Sequence, residues 1–220
     1  MIGTVDIQYL EVEHALAEAY KSLRTNLLYT ENVHVIAVTS SVAGEGKSNT
    51  SFQLAKSFAE LGKKTILIDC DMRKAYMKRF LKVRTKVNGL SELLSGQIDD
   101  ALYETDTDNL SIIFSGKSPV NPSELLSSET FAKFIKKLRA NYDYIILDTP
   151  PVSIGADTSI IGRVVDGVVL VVRNDYVKKI VVQRSKQDII RNGGKLLGVV
   201  LNRVNKYQDD YYYGYYGTYE

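Results

Sequence analysis

Two groups of residues in this chain are spaced for phosphate chemistry. The octet Ser41-Val42-Ala43-Gly44-Glu45-Gly46-Lys47-Ser48 follows an apolar run and precedes a helical pattern. It matches the P-loop, with Ser41 in place of the first glycine. Small residues let backbone N–H groups approach phosphates, and the N-terminus of the following helix adds about half a positive charge. Lys47 is placed to reach the β- and γ-phosphates, and the Ser48 hydroxyl to ligate Mg²⁺. The expected nucleotide-binding residues are Ala43, Gly44, Glu45, Gly46, Lys47, Ser48 and Asn49.

Carboxylates end two further apolar runs. Ile145-Ile146-Leu147-Asp148-Thr149-Pro150-Pro151 delivers one aspartate, the Walker B arrangement that helps to hold Mg²⁺. Ile66-Leu67-Ile68-Asp69-Cys70-Asp71-Met72-Arg73 delivers two. Side chains alternate along an extended segment, so Asp69 and Asp71 project together, and two carboxylates aimed at one place repel unless a cation lies between them. Lys47, Asp69, Asp71 and Asp148 are therefore the catalytic candidates, with Ser48, Asp71 and Asp148 the metal ligands. The second group is a cluster of phenols: Tyr207, Tyr211, Tyr212, Tyr213, Tyr215, Tyr216 and Tyr219 make up half of the last fourteen residues. ATP with Mg²⁺ at the first group and phosphate acceptors in the second is the chemistry this combination implies.

The elements that must position these residues alternate. Val12, Leu16, Ala19/Tyr20, Leu23 and Leu27 recur at helical spacing and predict an amphipathic helix over 11–29. Apolar runs at 33–39, 65–69, 144–148, 168–172 and 197–201 read as buried strands, with a weaker sixth at 111–114. Helical stretches at 47–61, 129–140 and 177–190 separate them, and Gly62 and Gly193-Gly194 stand where helix ends are expected. Such alternation predicts an α/β fold with a doubly wound, mostly parallel sheet, binding ligands at the carboxyl ends of its strands. Residues 1–204 are expected to form that domain. Residues 205–220, lacking leucine, isoleucine and valine, are expected to be a disordered tail.

Composition bounds the setting. The chain's 220 residues suit one domain with a sizeable core, and 45% apolar with 25% charged residues is an ordinary globular balance. A net charge of +2 does not point to nucleic acid. The single cysteine, Cys70, cannot form an internal disulfide and fits a reducing cytoplasm. No apolar run approaches the roughly 18–20 residues that span a bilayer. Asp6, Glu11 and Glu13 interrupt what would be a signal peptide.

P-loop, Asp-x-Asp-x-Arg, Asp-x-Pro-Pro and tyrosine tail, in that order over nearly the whole chain, resemble the bacterial tyrosine kinases of capsule and exopolysaccharide export. The resemblance implies Lys47 and Ser48 on nucleotide and metal, and Asp69, Asp71 and Asp148 around Mg²⁺ and the incoming tyrosine, with Asp69 as the group that activates the hydroxyl. It also implies that Asn202 contacts adenine, that a membrane polysaccharide co-polymerase acts as activator through its cytoplasmic segment, and that a tyrosine phosphatase reverses the modification. The protein would then be cytoplasmic and peripheral to the membrane through that activator. Family members self-associate, in rings, through Glu-x-x-Arg-x-x-Arg on an N-terminal helix. Here Glu18 and Arg24 are present but Lys21 replaces the first arginine, and a lysine cannot make the planar two-pronged contact, so weaker assembly is expected. Ala43 stands where the family often has proline.

About fifteen tail residues reach at most roughly 50 Å extended and about 20 Å as a coil, enough for a neighbouring subunit's site, so phosphorylation in trans is expected. Each phosphate adds about −1.5 to −2 charges, so heavy phosphorylation is expected to loosen the assembly. Arg73, Lys74, Lys78, Arg79, Lys82, Arg84 and Lys86 form a run with no acid among them, either a solvated face or a docking strip for the acidic tail or an activator. Two other readings stay open. A partitioning or septum-site type ATPase switch usually carries a second P-loop lysine where this chain has Val42, and a nucleotide-gated scaffold would bind partners without catalysis.

Overall fold

A computed structural model describes residues 3–8 and 13–204. The predicted tail, its seven tyrosines and the first residues of the predicted 11–29 helix lie outside them. In chain order the elements are β1 (Gly3–Val5), α1 (His14–Leu28), β2 (Val35–Ser40), α2 (Lys47–Glu60), β3 (Thr65–Asp69), α3 (Tyr76–Phe80), α4 (Leu90–Leu94), β4 (Tyr103–Thr105), β5 (Leu110–Ile113), α5 (Pro122–Ser127), α6 (Glu129–Arg139), β6 (Tyr144–Asp148), α7 (Asp157–Ile161), β7 (Gly167–Arg173), α8 (Lys179–Arg191) and β8 (Leu196–Asn202).

The strands form one sheet in the order β1-β4-β5-β3-β6-β2-β7-β8, parallel throughout except for the antiparallel β4–β5 pair. This is the doubly wound α/β sheet expected from the alternation. β1 and β4 were not expected. At three residues each they are too short for a period-two pattern to register, and they exist because each finds a partner, β1 on β4 and β4 on β5. The short helices α3, α4, α5 and α7 occupy stretches that carry no helical periodicity of useful length.

Alternation along each central strand fills two cores. Ile36, Val38, Leu67 and Ile146 pack with Leu27 of α1 and Phe52 and Phe58 of α2 on one face. Val35, Ala37, Ile66, Ile68 and Leu147 pack with Phe131 and Ile135 of α6 and Ile189 of α8 on the other. Phe58 stacks on Tyr144 with centroids 3.9 Å apart and planes 18° from parallel, a contact worth about 0.5–1.5 kcal/mol beyond its burial.

Helix ends fall where the local chemistry puts them. Ser128 caps α6 by accepting the Phe131 amide at 3.2 Å, and Lys136, Lys137 and Arg139 face the negative end of its dipole. Beyond α2, Gly62 takes φ +78°, which lets its amide reach the Ala59 carbonyl at 2.8 Å and Lys63's reach Phe58's at 3.1 Å.

Candidate active site

β2, β6 and β3 end side by side. β2 is bonded to β6 and β6 to β3, so the P-loop, the Asp148 turn and the Asp69 turn emerge from three adjacent strand ends. The P-loop turns through Gly44 at φ +90° and Gly46 at φ +94°, and Gly46 caps α2. Both positions are left-handed, which suits glycine. Each is also covered: a Cβ on Gly44 would lie 2.9 Å from Tyr176 Oη, and one on Gly46 would overlap Asn202 Nδ2.

Lys47 and the three aspartates converge. Lys47 Nζ lies 3.0 Å from Asp71 Oδ2 and 3.5 Å from Asp148 Oδ2. Asp148 also accepts the Ser51 hydroxyl at 3.1 Å. Asp69 Oδ1 accepts the Asp71 amide at 3.0 Å, while its Oδ2 is buried without a hydrogen-bond partner. The three carboxylates are at most 2% exposed.

Burial raises the Asp69 pKa to about 7, reinforced by Asp148; Lys47 and the Ser115 hydroxyl, which lies close without a hydrogen bond of normal geometry, pull the other way. Burial likewise raises Asp148 against the pull of Lys47. For Lys47 burial acts downward, but Asp148 and Asp71 outweigh it and hold the ammonium above its ordinary range. One cation thus faces three carboxylates. Among the described residues no three carboxylate, imidazole or thiol groups converge tightly enough to ligate a metal alone. That fits Mg²⁺, which takes one or two carboxylates and fills its octahedron with phosphate and water. The unpaired Asp69 Oδ2 is a further place for such charge.

A cavity of about 630 Å³ opens over this cluster, with Gly44, Lys47 and Ser48 on one wall and Lys74, Tyr76 and Arg79 on another. Ala43, Gly46 and Asn49 also line it. Glu45 does so only through its neighbours. Its side chain is fully buried, with Oε2 accepting the Val42 amide at 2.8 Å and Oε1 the Arg173 amide at 3.2 Å. It braces the loop to β7. Asn202 does similar work from β8, donating Nδ2 to the Glu45 carbonyl at 2.8 Å.

Three residues outside the sequence-based set bear on the site. Ser51 stands four residues after Lys47, on the same helix face, and that spacing was the available signal. Arg73 and Asp157 carried none, being 84 residues apart. Arg73 Nε donates to Asp157 Oδ2 at 2.7 Å and Nη2 to Ser123 at 3.0 Å, and Ser123 donates to Asp157. This network ties the turn after β3 to α5 and to α7 behind the Asp148 turn. On α1, Glu18 and Lys21 pair with each other at 2.7 Å, and Arg24 donates to the Ser57 carbonyl of α2 at 2.7 Å. The three expected self-association residues are therefore engaged within the subunit. Among the described residues no helix is long and apolar enough to cross a membrane.

The AAA domain family matches residues 33–183. The chain is 42% identical over 214 residues to the tyrosine-protein kinase CpsD of Streptococcus pneumoniae, covering 96% of this chain and 94% of that one. To the tyrosine-protein kinase YwqD of Bacillus subtilis it is 36% identical over 208 residues, covering 92% and 86%. The crystal structure of the chimerical protein CapA2B2 superposes with a TM-score of 0.85 at 34% identity, over 92% of this chain and 94% of that one.

Proposed function

The chain belongs to the bacterial tyrosine-protein kinases, and we propose that it moves the γ-phosphoryl group of Mg-ATP onto the tyrosines of segment 207–220 of a neighbouring copy. The observation that carries this reading is the meeting of Lys47, Ser48 and three buried aspartates at adjacent strand ends beneath one cavity. In it, residues 43–49 hold the triphosphate, Ser48, Asp71 and Asp148 hold Mg²⁺, and Asn202 lies beside the nucleotide. Bound Mg²⁺ supplies charge neutralisation between the phosphates.

The phenol oxygen attacks the γ-phosphorus, the bond to the β-phosphate oxygen breaks, and ADP leaves. The phenol proton passes to Asp69. Tyrosine ionises near pH 10 and a free carboxylate near pH 4, so a proton moved early would be poorly driven. A loose transition state demands little of the nucleophile. Asp69 orients the phenol and takes its proton late, while Lys47 faces the charge on the transferred group.

The same reading makes residues 1–204 the catalytic domain and 205–220 the acceptor segment. It places the protein in control of capsular or exopolysaccharide synthesis, at the inner face of the membrane through a co-polymerase's cytoplasmic segment, as a homo-oligomer whose tail a phosphatase resets. Glu18, Lys21 and Arg24 would have to exchange their present partners to serve an interface.

The test is intact mass after incubation with Mg-ATP, beside Lys47→Met and a chain ending at Asn205. Steps of one phosphate that map to the tail and vanish in both variants are expected. Absence of steps, with or without an activator's cytoplasmic segment, contradicts the reading. Transfer in trans predicts a rate that rises with enzyme concentration, and loosening by phosphorylation predicts a lower light-scattering mass for the phosphorylated protein.

A further inference from the structure

Residues 73–86 hold seven cations and no acid, and the transfer reaction uses none of them. The fold sorts them by location. Arg73 is committed to Asp157. Lys74 and Arg79 line the same cavity as Lys47 and Ser48. Lys82, Arg84 and Lys86 follow on the exposed stretch after α3. No carboxylate of the described residues pairs with any of these last five.

Aromatic rings sit among the cations. Tyr76 and Phe80 stack with centroids 5.8 Å apart and planes 26° from parallel, and the Arg79 guanidinium lies 5.2 Å from the Tyr76 ring centroid. Tyr76 is 41% exposed. The cavity wall across from the P-loop is thus aromatic, and a cationic strip leads away from it. Rings pack on rings, and guanidinium and ammonium groups pair with carboxylates and phosphates. A ligand that suits both is a peptide with tyrosines and acids close together. The chain's own segment 207–220 has that composition, with Asp209, Asp210 and Glu220 among its seven tyrosines.

We propose that this strip is a docking surface for the tyrosine-rich segment of a second copy, and that it binds the segment more tightly once a first tyrosine is phosphorylated. This rests on the kinase reading of the site. Each phosphate adds about −1.5 to −2 charges, so about three phosphates match the six cations left when Arg73 is set aside. Early phosphates therefore favour further transfer by holding the segment at the cavity. Later ones exceed the strip's charge and favour release.

The experiment uses the full chain and synthetic peptides of residues 205–220, one unmodified and one phosphorylated at Tyr219. Their dissociation constants are measured by fluorescence anisotropy without ATP, and their KM and kcat as acceptors with it. The variant is Lys82→Asn/Arg84→Gln/Lys86→Gln, asparagine being suited to the φ of +53° at position 82. In the parent chain the phosphopeptide should bind several-fold tighter than the unmodified one, and the difference should fade as salt is raised. In the variant its dissociation constant and KM should rise about tenfold, the sum of three modest ion pairs. KM for ATP should stay at the parent value, and Lys82→Arg/Arg84→Lys/Lys86→Arg should restore binding. Equal binding of both peptides by parent and variant overturns the proposal, as does an effect confined to ATP. Strip-dependent binding without transfer to either peptide would leave the docking surface standing and remove the kinase reading. Transfer with strip-independent binding would do the reverse.

Discussion

Asp69 and Asp148 are register partners on the adjacent parallel strands β3 and β6. The Cys70 amide donates to the Asp148 carbonyl at 2.8 Å, which carries the pairing past the end of β3. Two carboxylates are thereby fixed side by side where water does not reach them, and the Lys47 ammonium is the one cation among the described residues that pairs with Asp148. The arrangement is short of positive charge, and a divalent cation is the natural remedy.

Replacing Lys47 by Met should remove the only ammonium between Asp71 and Asp148. Breaking a buried ion pair from one side costs about 3–5 kcal/mol. We expect a lower melting temperature in Mg²⁺-free buffer, and a larger upward shift on adding Mg²⁺ than the parent chain gives. Equal Mg²⁺ shifts in a differential scanning calorimeter would contradict the charge-deficit account.

Glu45→Ala removes the carboxylate that accepts the Val42 and Arg173 amides. Each hydrogen bond to a charged group is worth about 1.5–3 kcal/mol, part of which holds the P-loop in shape. The affinity for ADP should fall about tenfold, near 1.4 kcal/mol. Calorimetric titration with ADP is the measurement, and an unchanged dissociation constant would show that the loop keeps its form without the brace.

Asp157→Asn weakens the hold on Arg73 and Ser123. Arg73 follows Asp71 by two residues, so the carboxylate turn should lose its fixed position while the P-loop is untouched. The expected signature is a fall in kcat of about tenfold with KM for ATP little changed. A rise in KM for ATP at constant kcat would place the network's influence on nucleotide binding instead.

Asp166 predicts a pH dependence. Burial alone would raise its pKa, but Arg139 and the Val35 and His34 amides, donating at 2.7 and 2.9 Å, hold it below the ordinary carboxylate value. A carboxyl group lowered by folding stabilises the native state above its unfolded pKa, about 3.9, and that contribution fades as pH falls through the folded value. Asp166→Ala should cost about 1–3 kcal/mol at pH 7, with the gap to the parent chain narrowing below pH 4. A gap independent of pH would assign the loss to packing.

The sequence by itself determined the P-loop, the two aspartate-bearing strand ends and the alternation behind them. These signals are local: glycines that permit left-handed turns, apolar runs of strand length, and helical spacing from Lys47 onward are each read within one short window. Gly62 closes α2 as its position promised, and β3 and β6 span the residues expected of them. Only the tertiary structure decided what lies beside what. It put β6 between β2 and β3, which makes Asp69 and Asp148 neighbours although 79 residues separate them. It turned the Glu45 side chain away from the cavity toward Arg173, bound Arg73 to Asp157, and engaged Arg24 with Ser57. It also gave β1 and β4 their existence, since strands of three residues hold only through a partner's hydrogen bonds. Local conformational preference is written along the chain, whereas pairing between distant segments depends on which strands come to share an edge.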